Sequence, residues 1–168
     1  KWQWLKLMNG LGPSDDGGNY IRPASQHKNS FVPLKDNLLN RKDHQKPILI
    51  IGRSCPWAHR TWLVYKLKNL ESTINLHIAK ANHQTGKWEL EPKILGQKLL
   101  LDLYKICDAN TKYRSTVPVL IDPGKSMNEN PKILGNESSQ LIETLNKWPS
   151  SNMSLELNPQ HLNKEIDQ

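Results

Sequence analysis

Cys55 has the residue type and the setting for nucleophilic sulfur chemistry. It stands between an apolar run typical of a buried strand, Ile48 to Gly52, and a segment typical of a helix, Pro56 to Asn69. At such a junction the exposed backbone N–H groups and the helix dipole favour an anion, so a thiolate is stabilised there. A small buried hydrophobe is the other common role of a free cysteine. We interpret Cys55 as the catalytic residue.

The residues around Cys55 bear on what its thiol can do. Ala58 occupies the position where a dithiol enzyme would carry its second cysteine, so Cys55 needs an external thiol to resolve a disulfide. His59 lies one turn into the helix and either contacts the sulfur or bonds to neighbouring backbone. Arg53 and Arg60 either supply positive charge near the sulfur or are solvated.

Length and cysteine content limit the class of protein. The 168 residues suffice for one domain of common size with extensions. Two cysteines make no disulfide framework, which indicates a cytoplasmic location, and we interpret Cys107 as structural. No apolar run approaches the roughly 20 residues that span a bilayer, and no secretory signal follows the N-terminus, so no membrane partner is expected.

The positive charge of the chain is interpreted mainly as solvated surface. A net charge of +7 and a pI near 9.4 suit an anion, but Lys and Arg are scattered without a block, which is typical of a solvated surface. Nucleic-acid binding needs basic residues clustered around aromatic ones, and the six tryptophans show no such arrangement, so no nucleic-acid partner is expected. The histidines have no ligand spacing with either cysteine, and no metal site is predicted.

The composition of the chain changes near residue 47. Residues 1–46 are rich in turn formers and prolines, and we expect an irregular extension that wraps over a domain. Residues 47–147 alternate between strand and helix patterns and form the predicted domain. Residues 148–168 are polar and are interpreted as a linker.

Hydrophobic periodicity predicts the element order β-α-β-α-β-β-α in this domain. The predicted strands are 47–51, 74–78, 117–121 and 133–134, and the predicted helices are 56–69, 96–108 and 137–147, the last capped by Asn136. A loop from Asn82 to Pro92 carries Trp88. Right-handed crossovers make the first two strands parallel, and a short link makes the last two antiparallel. This is a thioredoxin-like α/β layout, in which Pro118 fits as a cis-proline at the start of its strand.

Three motifs resemble one known family. Cys55-Pro-Trp-Ala-His-Arg-Thr61, Arg114-Ser-Thr-Val-Pro-Val-Leu120 and Asn136-Glu-Ser-Ser139 look like segments of the glutathionyl-hydroquinone reductases. These are the Xi class of the glutathione transferase superfamily, related to the Omega class. The stretch from Asp16 to Arg22 also resembles that family's N-terminal extension. One departure is Lys87, which separates Gly86 from Trp88 where the family has an adjacent pair.

The resemblance implies a thioredoxin-like glutathione transferase N-terminal domain and a specific reaction. Cys55 would attack the sulfur of a glutathionyl-hydroquinone, release the hydroquinone and keep glutathione as a mixed disulfide, which a second glutathione resolves. Glutathione is thus the implied co-substrate, and a glutathionylated aromatic or thiol compound is the implied substrate. The residues implied to bind glutathione are Trp88, Arg114, Val117, Glu137 and Ser138.

Four of these residues, all except Val117, also have a structural interpretation. Trp88 either packs on glutathione or covers the core of the domain, and Arg114 either holds a carboxylate or is a surface charge. By resemblance Val117 pairs its backbone with the cysteinyl residue, as an edge strand does. Ser138 would hold the γ-glutamyl carboxylate and Glu137 its ammonium group. Both would also suit an ordinary helix start.

Two alternative functions stay open. A thiol transferase that removes glutathione from protein mixed disulfides needs the same lone cysteine. A non-catalytic glutathione-binding or interaction module is the other, because family members continue into a helical C-terminal domain that supplies most of the aromatic-substrate pocket. The segment 148–168 is expected to lead toward such a domain. In a full-length form the resemblance implies a homodimer.

Overall fold

A six-stranded sheet forms the centre of the structure. The computed structural model describes residues 15–17, 19, 38–111, 115–126, 129–149 and 155–166. The strands are β1 (Ile48–Gly52), β2 (Asn75–Asn82), β3 (Lys87–Ile94), β4 (Gln97–Leu99), β5 (Val119–Asp122) and β6 (Lys132–Gly135). Their order across the sheet is β4-β3-β2-β1-β5-β6. As predicted, β1 and β2 are parallel and β5 and β6 are antiparallel.

The helices and this sheet together form a thioredoxin-like arrangement. They are α1 (Pro56–Leu67), α2 (Leu100–Cys107), α3 (Ser138–Asn146) and α4 (Asn163–Ile166), with short 3-10 helices at Asp43–Gln45, Leu70–Ser72 and Gln160–Leu162. Helices α1 and α3 pack on each other, while α2 packs on β3, β4 and β6. Within the described ranges, no helix has the length and apolar character needed to cross a bilayer. The fold is therefore the α/β class that the sequence predicts.

The residue types of strand β1 suit a buried central strand, and Pro56 suits the first position of helix α1. Leu49, Ile50 and Ile51 are fully buried, since β1 lies between β2 and β5 and both of its faces are covered. Pro56 opens α1, where its missing N–H group costs no hydrogen bond. The helix ends earlier than predicted, because Asn69 adopts a positive φ of 52° and stops it after Leu67.

The prediction for residues 82–99 is wrong. Strands β3 and β4 form a hairpin where the pattern indicates a loop and the first turn of a helix. The pairing of β3 with β4 shifts register between Glu89 and Ile94, and Pro92 interrupts the apolar alternation there. The hairpin turn consists of Leu95 and Gly96, with φ angles of 48° and 77°. Leucine is uncommon at such a position, so the turn is hidden from sequence reading.

Residues on both flanks of the predicted domain pack against it. Leu38 is buried in the core, and Arg41 forms a largely buried, two-pronged ion pair with Asp122 at the end of β5. Most of the predicted extension 1–46 lies outside the described residues. On the other side, Trp148 is fully buried and its Nε1 donates to Thr73 Oγ1 at 3.0 Å, although the predicted linker begins at residue 148.

Candidate active site

Cys55 lies at the N-terminal end of α1, immediately after the turn that follows β1. Its backbone N–H donates to Gly52 O at 3.0 Å, and its carbonyl accepts from His59 N at 3.0 Å, which begins the helical ladder. The side chain is half-buried and makes no hydrogen bond to the helix N–H groups. A sulfur at this place faces the end of the helix that attracts negative charge.

The Cys55 thiol faces the segment that precedes β5. Its Sγ donates to Val117 O at 3.4 Å. Val117 is buried, the Val117–Pro118 peptide bond is cis, and the first residue of β5 that pairs with β1 is Val119. The structure therefore brings together two of the residues singled out in the sequence, Cys55 and Val117, across 62 positions of the chain.

A buried tyrosine connects the Val117 segment with the start of α3. Tyr104 Oη donates to Thr116 O at 2.8 Å and accepts from Asn136 Nδ2 at 3.3 Å. Tyr104 is 1% exposed, and burial raises the pKa of its phenol, so the hydroxyl stays protonated. Because Thr116 precedes Val117 and Asn136 precedes Glu137, one side chain holds both segments in place. Sequence reading misses Tyr104, whose helical spacing alone indicates core packing.

The start of α3 differs in detail from the prediction. Glu137, and not Asn136, occupies the N-cap position, and its side chain does not cap the helix N–H groups. The amide of Asn136 is used in the contact with Tyr104 instead. Ser138 is the first helical residue and is 1% exposed. Arg60 of α1 donates to Ser138 Oγ from Nε at 3.2 Å and from Nη2 at 2.5 Å, which joins α1 to α3 beside Cys55.

Trp88 is a strand residue and not a loop residue as predicted. It lies on β3 opposite Ala81 and is half-buried. A Cβ atom placed on Gly52 would lie 2.4 Å from two carbons of the Trp88 indole ring. The ring therefore covers the end of β1 three residues before Cys55, and Gly52 is needed there because any side chain would collide with it. Sequence reading misses this role of Gly52.

The remaining candidates divide into three groups. Arg114 lies outside the described residues, so its predicted role stays a prediction. Arg53 is exposed, and the exposed ring of His59 packs edge-on against Trp62 with 6.2 Å between centroids. Cys107 is mostly buried, and burial, followed by the charge of Asp108, raises the pKa of its thiol to about 12. In the part of the chain that the structure describes, no cluster of acidic, histidine or cysteine side chains could hold a metal ion.

We predict that Tyr104→Phe loosens the Val117 and Ser138 segments together. The change removes only the hydroxyl, so it should lower the free energy of unfolding by about 1–2 kcal/mol. Tyr65→Phe is the matched control, because Tyr65 is also buried and donates one hydrogen bond, to Ile74 O at 3.0 Å. Amide hydrogen exchange should rise at residues 116–118 and 136–138 only in the Tyr104 variant. Equal exchange there in both variants would contradict the positioning role.

Comparison with known proteins identifies the domain. The family model described as "Glutathione S-transferase, N-terminal domain" matches residues 54–148. Glutathionyl-hydroquinone reductase PcpF of Sphingobium chlorophenolicum is 30% identical over 137 residues, covering 77% of this chain and 41% of the relative. Glutathionyl-hydroquinone reductase YqjG of Escherichia coli K12 is 32% identical over 151 residues, covering 85% of this chain and 38% of the relative. The chain thus spans about two fifths of the length of the curated relatives it matches.

The fold gives the same assignment. The crystal structure of the glutathione-S-transferase Xi from Phanerochaete chrysosporium superposes with a TM-score of 0.75 at 28% identity, covering 92% of this chain and 51% of that one. The family model begins next to Cys55 and ends at Trp148, so it contains α1, α2, α3 and five of the six strands. A match over more than half of the chain, on a fold shared with a Xi-class structure, means that this chain belongs to the glutathione S-transferase family.

Proposed function

We propose that this chain is a glutathione-dependent reductase of glutathionyl-hydroquinones, with Cys55 as the nucleophile. The observation that carries the proposal is the position of the Cys55 sulfur at the start of α1, 3.4 Å from the Val117 carbonyl oxygen. A peptide that pairs with the Val117 backbone as an added strand would present its own cysteinyl sulfur beside Cys55. Relatives named for this reaction, PcpF and YqjG, support the choice of substrate class.

The proposed reaction has two sulfur-transfer steps. In the first, the Cys55 thiolate attacks the sulfur of the thioether, an S–S bond forms, and the aryl carbon leaves with the C–S electron pair and takes up a proton. This releases the hydroquinone and leaves glutathione on Cys55. In the second, the thiolate of a free glutathione attacks the glutathione sulfur of this disulfide and releases Cys55 and oxidised glutathione. Overall, the thioether sulfur and the sulfur of one free glutathione are each oxidised by one electron and the aryl carbon is reduced by two, so no other electron donor is needed.

The binding residues are assigned by the part of glutathione that each suits. The Val117 N–H and C=O groups pair with the cysteinyl residue, and Trp88 packs beside the bound tripeptide at the end of β1. Ser138 and the first N–H groups of α3 hold the γ-glutamyl carboxylate, and Glu137 accepts from its ammonium group. Arg114 would hold a carboxylate of glutathione.

Two alternatives each have an observation in their favour. A thiol transferase acting on glutathionylated proteins would use the same lone cysteine, because Ala58 leaves Cys55 without a second thiol in its own motif. An interaction module would use the exposed side of α1, where Leu63 and Leu67 lie one turn apart and are each 49% exposed. The cytoplasmic location, the homodimer of a longer form and the domain boundaries at residues 47 and 147 stay predictions.

The test is product analysis with a synthetic glutathionyl-hydroquinone and excess glutathione. The reductase is expected to release hydroquinone and oxidised glutathione in equal amounts, and intact mass should show one glutathione on Cys55 when free glutathione is withheld. Removal of glutathione from a model protein disulfide without hydroquinone release would favour the thiol transferase. Glutathione binding without either reaction would favour the interaction module.

A further inference from the structure

We infer that Arg60 is a positioning residue for the glutathione subsite: it turns the Ser138 hydroxyl into a donor directed at the ligand carboxylate and places beside it a positive charge that pairs with no carboxylate among the described residues. This inference rests on the proposed function and adds to it a residue that determines which thiol compounds the site accepts.

The Arg60 side chain is held from two sides. Its guanidinium lies over the Trp57 ring, with Cζ 4.8 Å from the ring centroid, and it donates two hydrogen bonds to Ser138 Oγ. Arg60 is half-buried and Ser138 is 1% exposed, so the pair is shielded from much of the solvent. A planar guanidinium fixed by an aromatic face and a two-pronged contact keeps its direction.

The contact with Arg60 determines where the hydroxyl hydrogen of Ser138 can point. A guanidinium has donors only, whereas a hydroxyl has two lone pairs and one hydrogen. Because Arg60 donates twice to Ser138 Oγ, both lone pairs are used and the hydroxyl hydrogen must point elsewhere. Among the described residues, the Ser138 hydroxyl donates to no acceptor. The free hydrogen is therefore available to an anionic ligand at the start of α3.

The charge of Arg60 points to the same kind of ligand. In the described part of the chain no carboxylate forms an ion pair with Arg60, whereas Arg41 has Asp122. A half-buried cation without a counterion gains most from an anion that arrives with the ligand. The γ-glutamyl carboxylate is the anion of glutathione that Ser138 is proposed to hold, so Arg60 selects for compounds that carry it.

The experiment compares two disulfides as substrates of Cys55. Oxidised glutathione carries the γ-glutamyl carboxylate, and hydroxyethyl disulfide does not. The ratio of their rates of adduct formation on Cys55 therefore measures how strongly the site favours a compound with that carboxylate. Arg60→Gln is expected to slow the reaction with oxidised glutathione about ten-fold or more, the range for a hydrogen bond to a charged group. Its reaction with hydroxyethyl disulfide should stay within about two-fold, because the thiol itself is unchanged.

Four further variants separate positioning from other roles. Arg60→Lys keeps the charge but loses the two-pronged contact, and it should recover only part of the rate. Adding Arg60→Gln to Ser138→Ala should cost little beyond Ser138→Ala alone, because Arg60 acts through that hydroxyl. Lys132→Gln removes one positive charge from an exposed position on β6 and should leave both rates unchanged.

Several outcomes would overturn the inference. Equal losses with both disulfides in Arg60→Gln would mean a structural role, and losses that multiply in the double variant would mean that Arg60 acts independently of Ser138. Equal rates for the two disulfides in the unmodified protein would mean that the site does not recognise the γ-glutamyl carboxylate, although Cys55 would still be a reactive thiol. No adduct on Cys55 with either disulfide would overturn the proposed function together with this inference.

Discussion

The Cys55→Ser variant is expected to release hydroquinone from glutathionyl-hydroquinone about a thousand-fold or more slowly than the unmodified protein. A serine hydroxyl is not ionised near neutral pH and cannot form the sulfur–sulfur bond on which both proposed steps depend. The Val117 and Ser138 segments do not depend on the sulfur for their position, since Tyr104 and Arg60 hold them. The variant should therefore bind glutathione with a dissociation constant within a few-fold of the unmodified protein.

Cys107→Ser is the matched control for this prediction. Burial raises the pKa of the Cys107 thiol to about 12, so it is almost wholly protonated at pH 7.5 and is a poor nucleophile. The control variant should keep its rate of hydroquinone release, and iodoacetamide at pH 7.5 should label Cys55 alone in the folded protein. A Cys55→Ser protein that still turns over, or that carries glutathione on Cys107, would show that the nucleophile is misassigned.

Gly52→Ala is expected to lower the free energy of unfolding by about 1–3 kcal/mol, the usual range for overpacking a core. The new methyl group would lie 2.4 Å from two carbons of the Trp88 ring, and Gly52 belongs to a central strand that cannot move away. Trp88 must therefore shift or β1 must bend. Because Trp88 is assigned to pack beside glutathione, the same variant should also bind glutathione more weakly. Urea unfolding and a glutathione titration measure the two effects.

Gly135→Ala provides the comparison that isolates this collision. Gly135 is also a buried strand glycine without a positive φ, but its added Cβ would meet Leu141 at 3.4 Å, an ordinary contact. We expect a change in stability of less than about 1 kcal/mol there. Combining Gly52→Ala with Trp88→Ala should cost less than the sum of the two single variants, because the smaller residue makes room. Equal stability of the two glycine variants would refute the steric argument.

Local patterns were sufficient where the types of a few consecutive residues decide the local structure. The apolar run of β1 ends at a turn, Cys55 follows, and Pro56 opens α1, all within nine residues. The fold class follows from the alternation of such segments and from the handedness of the crossover between β1 and β2. These parts of the prediction needed no knowledge of distant contacts.

The hairpin of β3 and β4 was not predictable in this way. Its turn uses a leucine at a positive φ, and its first strand contains Pro92 at a register shift, so the local signals there indicate a loop and then the start of a helix. Pairing with β2 along Lys80–Asn82 outweighs those signals. Asn136 shows the same limit on a smaller scale. Its side-chain amide could cap the nearby helix or bond to the distant Tyr104, and in the structure it bonds to Tyr104.

The sequence by itself determined that a lone cysteine follows a buried strand and precedes a helix, in a domain of thioredoxin-like order and in motifs that resemble one family. The tertiary structure decided what surrounds that cysteine: Val117 against its sulfur, Trp88 over Gly52, and Arg60 on Ser138. The reason is that strand and helix formation depends on side chains a few residues apart. Hydrogen bonds such as that between Arg60 and Ser138, 78 positions apart, exist only once the helices have packed.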